Sequence, residues 1–243
     1  MKEELALPPL YRAVVLDRNG DDARSHAVRL AGGGAEAGTF VWRPGGGRLD
    51  CAVLLRPDEP GERVLPAVLA AALALSDAIG AVGPPGVMLD LVWPGAIRVN
   101  GGLAGGVTVD LAPGGGMQDV PDWAVVAVDT RIEPDPGVEG GERPDETCLQ
   151  AEGFAAGDAR PLAEAFARHL LVWMDRWQEE GLPPIARQWL GRATARGRDT
   201  VLLLGAELIA GAVEGLDEAG GLRLETAAGP RTLSLAAWAR LDG

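Results

Sequence analysis

The sequence predicts an α+β fold in two parts: a mixed β-sheet with helices over residues 1–195, then a small SH3-like β-barrel over residues 196–243. Hydrophobic residues make up 47% of the 243 positions, which is enough for a sizeable core. Up to about residue 195, β-rich runs are interspersed with runs of helical periodicity. Short β-rich runs then follow one another within about 45 residues, a spacing typical of a small barrel.

The first part begins with β-rich runs separated by turns and helices. These runs are residues 11–16, 39–42, 49–55, 87–93, 96–99, 105–111 and 123–132. Asn100-Gly101 is the preferred residue pair of a tight type I′ hairpin, so it predicts that the strands on either side of it are antiparallel neighbours. Residues 133–153 are rich in Pro, Gly and Glu and indicate an exposed loop.

The helices of the first part show apolar residues at helical spacing. They are residues 21–30, 64–79, 160–181 and 183–193. Trp173, Trp177 and Trp189 form an aromatic stripe on the last two, which predicts a buried face against the main sheet or the barrel. The barrel strands are residues 200–204, 207–216, 221–226 and 231–235.

Charge and composition restrict the class of partner. The net charge of −13 repels polyanions, so we expect no nucleic-acid partner. The longest apolar stretch, residues 64–75, is too short to span a bilayer, and the N-terminus lacks the apolar segment of a signal peptide. Cys51 and Cys148 have no metal-binding spacing; they indicate buried free thiols, with a single disulfide as the alternative. We therefore expect a cytoplasmic protein without a membrane partner.

One segment carries a specific resemblance. Within residues 91–107, Trp93-Pro94 is followed by Leu103-Ala104-Gly105, which resembles the K-W-P-N-D-I and K-L-x-G-I-L signature of biotin protein ligases. Further segments agree in order with the same family: residues 19–23, 35–42, 49–57, 125–132 and 211–222. The resemblance to the biotin/lipoate A/B protein ligase family therefore covers nearly the whole chain and implies a class II synthetase/biotin protein ligase-like sheet.

The chemistry that this resemblance implies has two steps. Biotin or a lipoyl-type acid attacks ATP to form an acyl-adenylate, and a lysine of an acceptor protein then takes the acyl group. Family members surround the phosphate with cations from a G-R-G-R-x-G-R loop and two lysines, because the transition state is anionic. Here the long basic loop is missing, and Val92 and Gly102 stand in place of the lysines. Gly95-Ala96 replaces Asn-Asp, and Arg131 replaces the Asn of the V-x-G-x-G-x-N strand.

The resemblance also implies a set of ligand-binding positions, although it assigns no catalytic residue and no metal site. They are Trp42, Arg43, Arg48, Trp93, Pro94, Gly102, Leu103, Ala104, Gly105 and Arg131. Several positions have a structural alternative. Trp93 fits a core position at a strand end, and the glycines fit hairpin geometry. Arg131 fits either a ligand carboxylate or an ion pair with Asp129 or Glu133.

Three hypotheses for function follow. The first is a relative with lost or much reduced ligase activity that binds a small carboxylate or a biotinyl- or lipoyl-type acceptor protein. The second is an active ligase or acyltransferase that uses ATP with biotin or lipoate, its charge supplied by Arg43, Arg48, Arg98 or Arg131. The third is a protein–protein interaction module, for which a homodimer is one form.

Overall fold

The computed structural model describes residues 5–137, 142–155, 159–193 and 199–240. These residues form a seven-stranded sheet and a four-stranded sheet with helices packed on the larger one. The strands of the larger sheet, β1 to β7, are Arg12–Val15, Thr39–Arg43, Arg48–Leu55, Leu89–Val92, Ala96–Val99, Gly102–Leu111 and Ala124–Arg131. The helices α1 to α6 are Ala23–Gly32, Gly61–Val64, Ala67–Val82, Arg160–Glu180, Leu182–Gly191 and Leu235–Ala239.

The larger sheet is mixed, as predicted. Its strand order is β1-β2-β3-β7-β6-β5-β4. Strand β1 runs parallel to β2, and every other neighbouring pair is antiparallel. The Asn100-Gly101 hairpin is confirmed between β5 and β6, and both residues have the positive φ that a type I′ turn requires, 49° and 92°.

Successive residues of a strand face opposite sides of the sheet, so each side has its own core. Helix α1 covers one side, where its alanines pack on Val41 and Ala52 in a small cluster. Helices α3 and α4 cover the other side and form the main core. Trp173 and Trp189 are 7% and 1% exposed within that core, and Trp177 packs at its edge, so the predicted aromatic stripe is confirmed.

The apolar segment around α3 is longer than the sequence indicated. Within Gly61–Val82 an 18-residue window has a mean hydropathy of 1.9, and the segment is long and apolar enough to cross a membrane. In this fold 83% of the apolar window is buried inside the protein. Burial against the sheet and α4 accounts for the composition, because a core helix is apolar all round.

The second sheet consists of β8 to β11, which are Asp199–Leu204, Glu207–Leu216, Leu222–Thr226 and Gly229–Leu233. Its strands are antiparallel in the order β11-β10-β9-β8. Within the described residues β8 and β11 are not paired with each other, so a closed SH3-like barrel is not confirmed. The last strand also ends earlier than predicted, because Ser234 caps a short helix, α6.

The loop after β7 is only partly exposed. Cys148 and Leu149 are 5% and 1% exposed, and a 3₁₀ turn spans Leu149–Glu152, so the prediction of an exposed loop is wrong there. Cys51 and Cys148 are both buried and free, which confirms the thiol prediction over the disulfide. Core residues of the second sheet, such as Leu222 and Leu224, belong to the same hydrophobic cluster as α3. The boundary at residues 195 and 196 stays a prediction.

Candidate functional site

A cleft of about 560 Å³ opens on the side of the larger sheet that α1 covers. This volume lies within the range of small-molecule sites. Its walls come from the N-terminus of α1, the β2–β3 hairpin, β6, β7, the segment before β5, and α6. The lining residues are Asp22, Arg24, Arg43, Arg48, Asp50, Trp93, Pro94, Gly95, Ala96, Leu103, Gly105, Gly106, Val107, Thr108, Ala127, Val128, Asp129 and Trp238.

One row of residues runs across the strands at the floor of this cleft. Arg43 is the register partner of Asp50, which opposes Asp129, and the row continues through Gly106 to Ala96. Neighbouring strands lie about 4.8 Å apart, so the row spans roughly 19 Å. The floor is therefore charged over β2, β3 and β7, and almost free of side chains over β6 and β5.

The glycines beside this floor are required by close contact between strands. Gly105 has a φ of 146°, and a Cβ added there would lie 2.2 Å from the Asp129 carbonyl oxygen. A Cβ at Gly106 would lie 2.6 Å from the Gly95 carbonyl oxygen. Backbone packing between the strands thus explains both glycines, as the structural alternative predicted.

Each of the arginines that line the cleft is paired with an aspartate. The Arg43 Nε donates to Asp50 Oδ2 at 2.6 Å. Arg48 binds Asp129 through two hydrogen bonds, at 2.5 Å and 2.9 Å, and Asp135 at 3.1 Å. Arg24 binds Asp110 of β6 in the same two-bonded manner, at 2.8 Å and 2.7 Å. The positive charge of the cleft is therefore matched locally by carboxylates.

The carboxylates at the α1 end of the cleft differ in their environments. Asp50 is 5% exposed and also accepts a hydrogen bond from the Ala23 N–H at 3.0 Å. Burial raises the pKa of Asp50, and the Ala23 hydrogen bond and the Arg43 charge offset this only in part. Asp22 caps α1; burial acts to raise its pKa, but hydrogen bonds, chiefly from Ser25, lower the pKa overall. Asp50 thus joins α1 to the sheet at the cleft floor.

Arg131 and Arg98 lie outside the cleft. The Arg131 side chain is 12% exposed and donates to Glu146 at 2.6 Å and to the Leu103 carbonyl at 3.1 Å. Its predicted ion pair with Asp129 or Glu133 is wrong, because Asp129 binds Arg48 and the loop after β7 brings Glu146 to Arg131. Arg98 donates to the Gly101 carbonyl within its own hairpin.

The tryptophans of the predicted site have different roles. Trp93 lines the cleft and is 7% exposed, and its Nε1 donates at 3.0 Å to the carbonyl of Gly220, in the turn between β9 and β10. It is therefore both a core residue and part of the wall. Trp42 is fully buried in the main core, on the other side of the sheet.

The structure brings together six of the ten predicted ligand-binding positions: Arg43, Arg48, Trp93, Pro94, Leu103 and Gly105. The other positions, Trp42, Gly102, Ala104 and Arg131, do not line the cleft. Gly102 instead lies against Thr147 of the loop after β7.

Several lining residues were not among the predicted positions. Asp50 and Asp129 carry a signal that could have revealed them, since each is an acidic residue in a strand whose residues are mostly apolar. Trp238 was missed because the short helix α6 was not predicted. Lys2 is the only lysine of the sequence, so no lysine reaches the cleft from the described residues. The described residues also contain no group of three or more His, Cys, Asp or Glu side chains suited to a metal ion.

The fold and cleft define the class of protein. The structure superimposes on the biotin protein ligase of Aquifex aeolicus with a TM-score of 0.74 over 92% of this chain and 95% of that one, at 19% identity. At this identity the likeness concerns the fold alone. This chain thus has the α+β fold of a biotin protein ligase.

The chain belongs to the biotin/lipoate A/B protein ligase family, whose model matches residues 7–191. It is 34% identical over 203 residues to a biotin–[acetyl-CoA-carboxylase] ligase of Paracoccus denitrificans, covering 82% of this chain and 78% of that protein. A biotin protein ligase-like protein of unknown function from Silicibacter sp. tm1040 is 31% identical, with a TM-score of 0.86 over 97% of this chain and 99% of that one. The resemblance found in the sequence is therefore confirmed.

Proposed function

We propose that this protein binds a small carboxylic acid of the biotin or lipoate kind in its cleft, and that acyl-adenylate formation is lost or much reduced. The observation that carries the proposal is the pairing of each cleft arginine with an aspartate. Family membership and a cleft of small-molecule size support the binding half of the proposal. The pairing of positive and negative charges among the lining residues supports the proposed loss of acyl-adenylate formation.

Adenylate formation requires cations around the α-phosphate of ATP. The cleft lining contains Arg24, Arg43 and Arg48 and an equal number of aspartates, with no lysine. Removing a single oxyanion donor typically costs about 2.7–4 kcal/mol of transition-state stabilisation. The donor set of this cleft does not fit a triphosphate, because each guanidinium already neutralises a carboxylate.

The other half of the cleft suits the apolar body of such an acid. Ala96 and Gly106 leave the floor bare there, and Trp93, Val107 and Trp238 supply apolar walls. Small-molecule sites typically combine such a surface with a few polar groups that orient the ligand. We further propose a biotinyl- or lipoyl-type acceptor protein as the macromolecular partner, because the relative from Paracoccus is named as a ligase for acetyl-CoA carboxylase. A cytoplasmic location and a homodimer stay predictions.

A second candidate function is an active ligase with altered chemistry. The 34% identity to a named biotin ligase favours it. In that case Arg43 and Arg48 would have to exchange their aspartate partners for phosphate oxygens during the reaction.

Pyrophosphate exchange into ATP separates the two candidates, when measured with biotin, lipoate and octanoate beside calorimetric binding of the same acids. We expect binding of at least one acid and exchange close to the protein-free blank. The R43A/R48A double variant is the control for contaminating activity. Rapid exchange in the wild type that disappears in this variant would establish the active ligase and overturn the reduced-activity proposal.

A further inference from the structure

Two aspartates face each other across the middle of the larger sheet. Asp50 of β3 and Asp129 of β7 are direct register partners, and both line the cleft. Like charges that directly oppose each other across strands are destabilising. Arg43 beside Asp50 and Arg48 beside Asp129 compensate this repulsion. The row therefore contains a compensated charge cluster where a ligand would contact the floor.

Arg48 is bound on two edges of its guanidinium group. Its Nε and Nη2 atoms donate to Asp129, while Nη1 donates to Asp135. The Nε–Nη2 edge is one that binds a carboxylate in two-bonded geometry. Asp129 lines the cleft and its side chain is 63% exposed, whereas Asp135 is not part of the lining. The protein's own carboxylate thus occupies the arginine edge at the cleft.

We propose that Asp129 is a specificity-determining residue of this cleft: it occupies Arg48 in place of a ligand carboxylate and so weakens the binding of anionic groups. This inference rests on the proposed function, in which the cleft binds a small acid. An incoming carboxylate must displace Asp129 from Arg48 and then lie near two negative charges, those of Asp129 and Asp50. A neutral group of the same shape meets neither obstacle.

The discriminating variant is Asp129→Asn, which removes the charge and keeps the size of the side chain. Its matched control is Glu207→Gln, because Glu207 binds Arg231 through two hydrogen bonds, at 2.6 Å and 2.8 Å, between β9 and β11 and outside the cleft lining. Both changes remove one acid from a two-bonded arginine pair. The probes are octanoate and octanamide, which share a chain and differ in charge, and the measurement is calorimetric binding at low salt.

We expect Asp129→Asn to bind octanoate about tenfold more tightly than the wild type, while octanamide binding changes by less than about twofold. Glu207→Gln should leave both affinities unchanged. Because the Asp129 side chain is exposed, the fold should be retained, which circular dichroism checks; Asp129→Ser is a second neutral variant at the same position.

Each other outcome counts against the inference. Equal octanoate affinities in the wild type and Asp129→Asn overturn it, and an equal gain in Glu207→Gln assigns the effect to net charge. If octanamide binds and octanoate shows no dependence on Asp129, only this inference fails and the cleft keeps its ligand-binding role. If neither probe, nor biotin or lipoate, binds to any form, the proposed function fails together with it.

Discussion

Single acidic residues inside apolar strands determine the character of the cleft. Asp50 lies in the run 49–55 and Asp129 in the run 125–132, both otherwise suited to a buried sheet. The Asp50 carboxylate is buried, which is costly unless the group is paired and hydrogen-bonded, and Arg43 is its partner. The Asp129 side chain is exposed and pairs with Arg48. Strand alternation places both aspartates on the side of the sheet that α1 covers. Two acidic residues that are far apart in the sequence therefore form one charged patch.

Tyr11 gives a residue-scale prediction with a clean reporter, because it is the only tyrosine of the chain. It packs edge-on against Phe40, with ring centroids 5.8 Å apart. Burial, with a smaller effect from Cys51, raises the pKa of Tyr11 to about 12. We expect absorbance at 295 nm to show a native midpoint near 12 and a midpoint near 10 in concentrated denaturant.

The same shift has a consequence for stability. Between about pH 10 and 12 the unfolded chain releases the tyrosine proton while the folded chain retains it, so the free energy of unfolding decreases as pH rises through this window. The Tyr11→Phe variant should lack this component of the pH dependence. Coincident midpoints in native and denatured protein would contradict the burial of the hydroxyl group.

Gly105 gives a second prediction at this scale. Gly105→Ala would place a Cβ 2.2 Å from the Asp129 carbonyl oxygen, at a φ of 146° that other residues rarely adopt. Strands β6 and β7 would have to separate at the cleft floor. We expect a loss of about 3–5 kcal/mol in the free energy of unfolding, measured by urea denaturation.

Gly215→Ala is the control for this change. Gly215 lies on a strand of the second sheet, and a Cβ added there would meet no atom within 4 Å. Its stability should change by less than about 1 kcal/mol. Similar losses in the two variants would mean that the strand contact at Gly105 is not the cause.

At the scale of whole elements, hydrophobic periodicity was sufficient to predict the strands and helices that pack directly on the core. The predicted strands 96–99 and 207–216 coincide with β5 and β9, and the helix predicted over 160–181 ends one residue earlier in α4. Helix α6 was missed because the predicted strand 231–235 was extended over Ser234, which instead caps the helix, while Leu235 packs against the turn at Gly220. Closure of the second sheet depends on pairing between distant strands, which periodicity does not determine.

In the candidate site too, some residues were predictable from the sequence and others depend on long-range pairing. Arg43, Arg48, Trp93 and Pro94 line the cleft, and the family resemblance is what placed them at a candidate ligand site. The partner of Arg131 could not be found, because Glu146 reaches it only through a loop whose path depends on backbone pairing with Leu103. Sequence order alone favours neighbours such as Asp129 and Glu133, and long-range pairing overrides that preference.

Asp77 of α3 gives a prediction at the element scale. It accepts hydrogen bonds from Trp173 Nε1 of α4 and from Arg192 Nη1, each at 2.7 Å, so it ties three helical segments together. Asp77→Ala would leave two partly buried donors without their acceptor. We expect the free energy of unfolding to fall by about 2–3 kcal/mol, as measured by chemical denaturation.

The control is Asp175→Ala, at an exposed aspartate on α4. Its effect should stay within about 0.5 kcal/mol, because surface changes away from special contacts are small. If the two variants lost the same amount of stability, the cross-helix network would have no particular importance.

At the scale of the whole molecule, the helix that follows the second sheet completes the cleft. The Gly220 carbonyl accepts the Trp93 hydrogen bond, and Gly220 itself lies between Leu235 of α6 and Leu69 of α3. This contact brings α6 to the cleft, where Trp238 becomes part of the wall. The cleft is therefore built from the larger sheet together with α6, which follows the second sheet, so its shape depends on how the two sheets are joined.

This dependence leads to a prediction about unfolding. Because one hydrophobic cluster extends from α3 into the second sheet, we expect the full chain to unfold in a single transition, with calorimetric and near-ultraviolet dichroism midpoints coinciding. Trp93→Phe removes the indole donor and leaves the buried Gly220 carbonyl without it, so the free energy of unfolding should fall by about 1–2 kcal/mol without splitting the transition. Trp177→Phe, at a partly exposed position on α4, should cost less. Two separate transitions in the wild type, the earlier one reporting only on the second sheet, would instead make residues 196–243 an independent domain and would limit the cleft to the larger sheet.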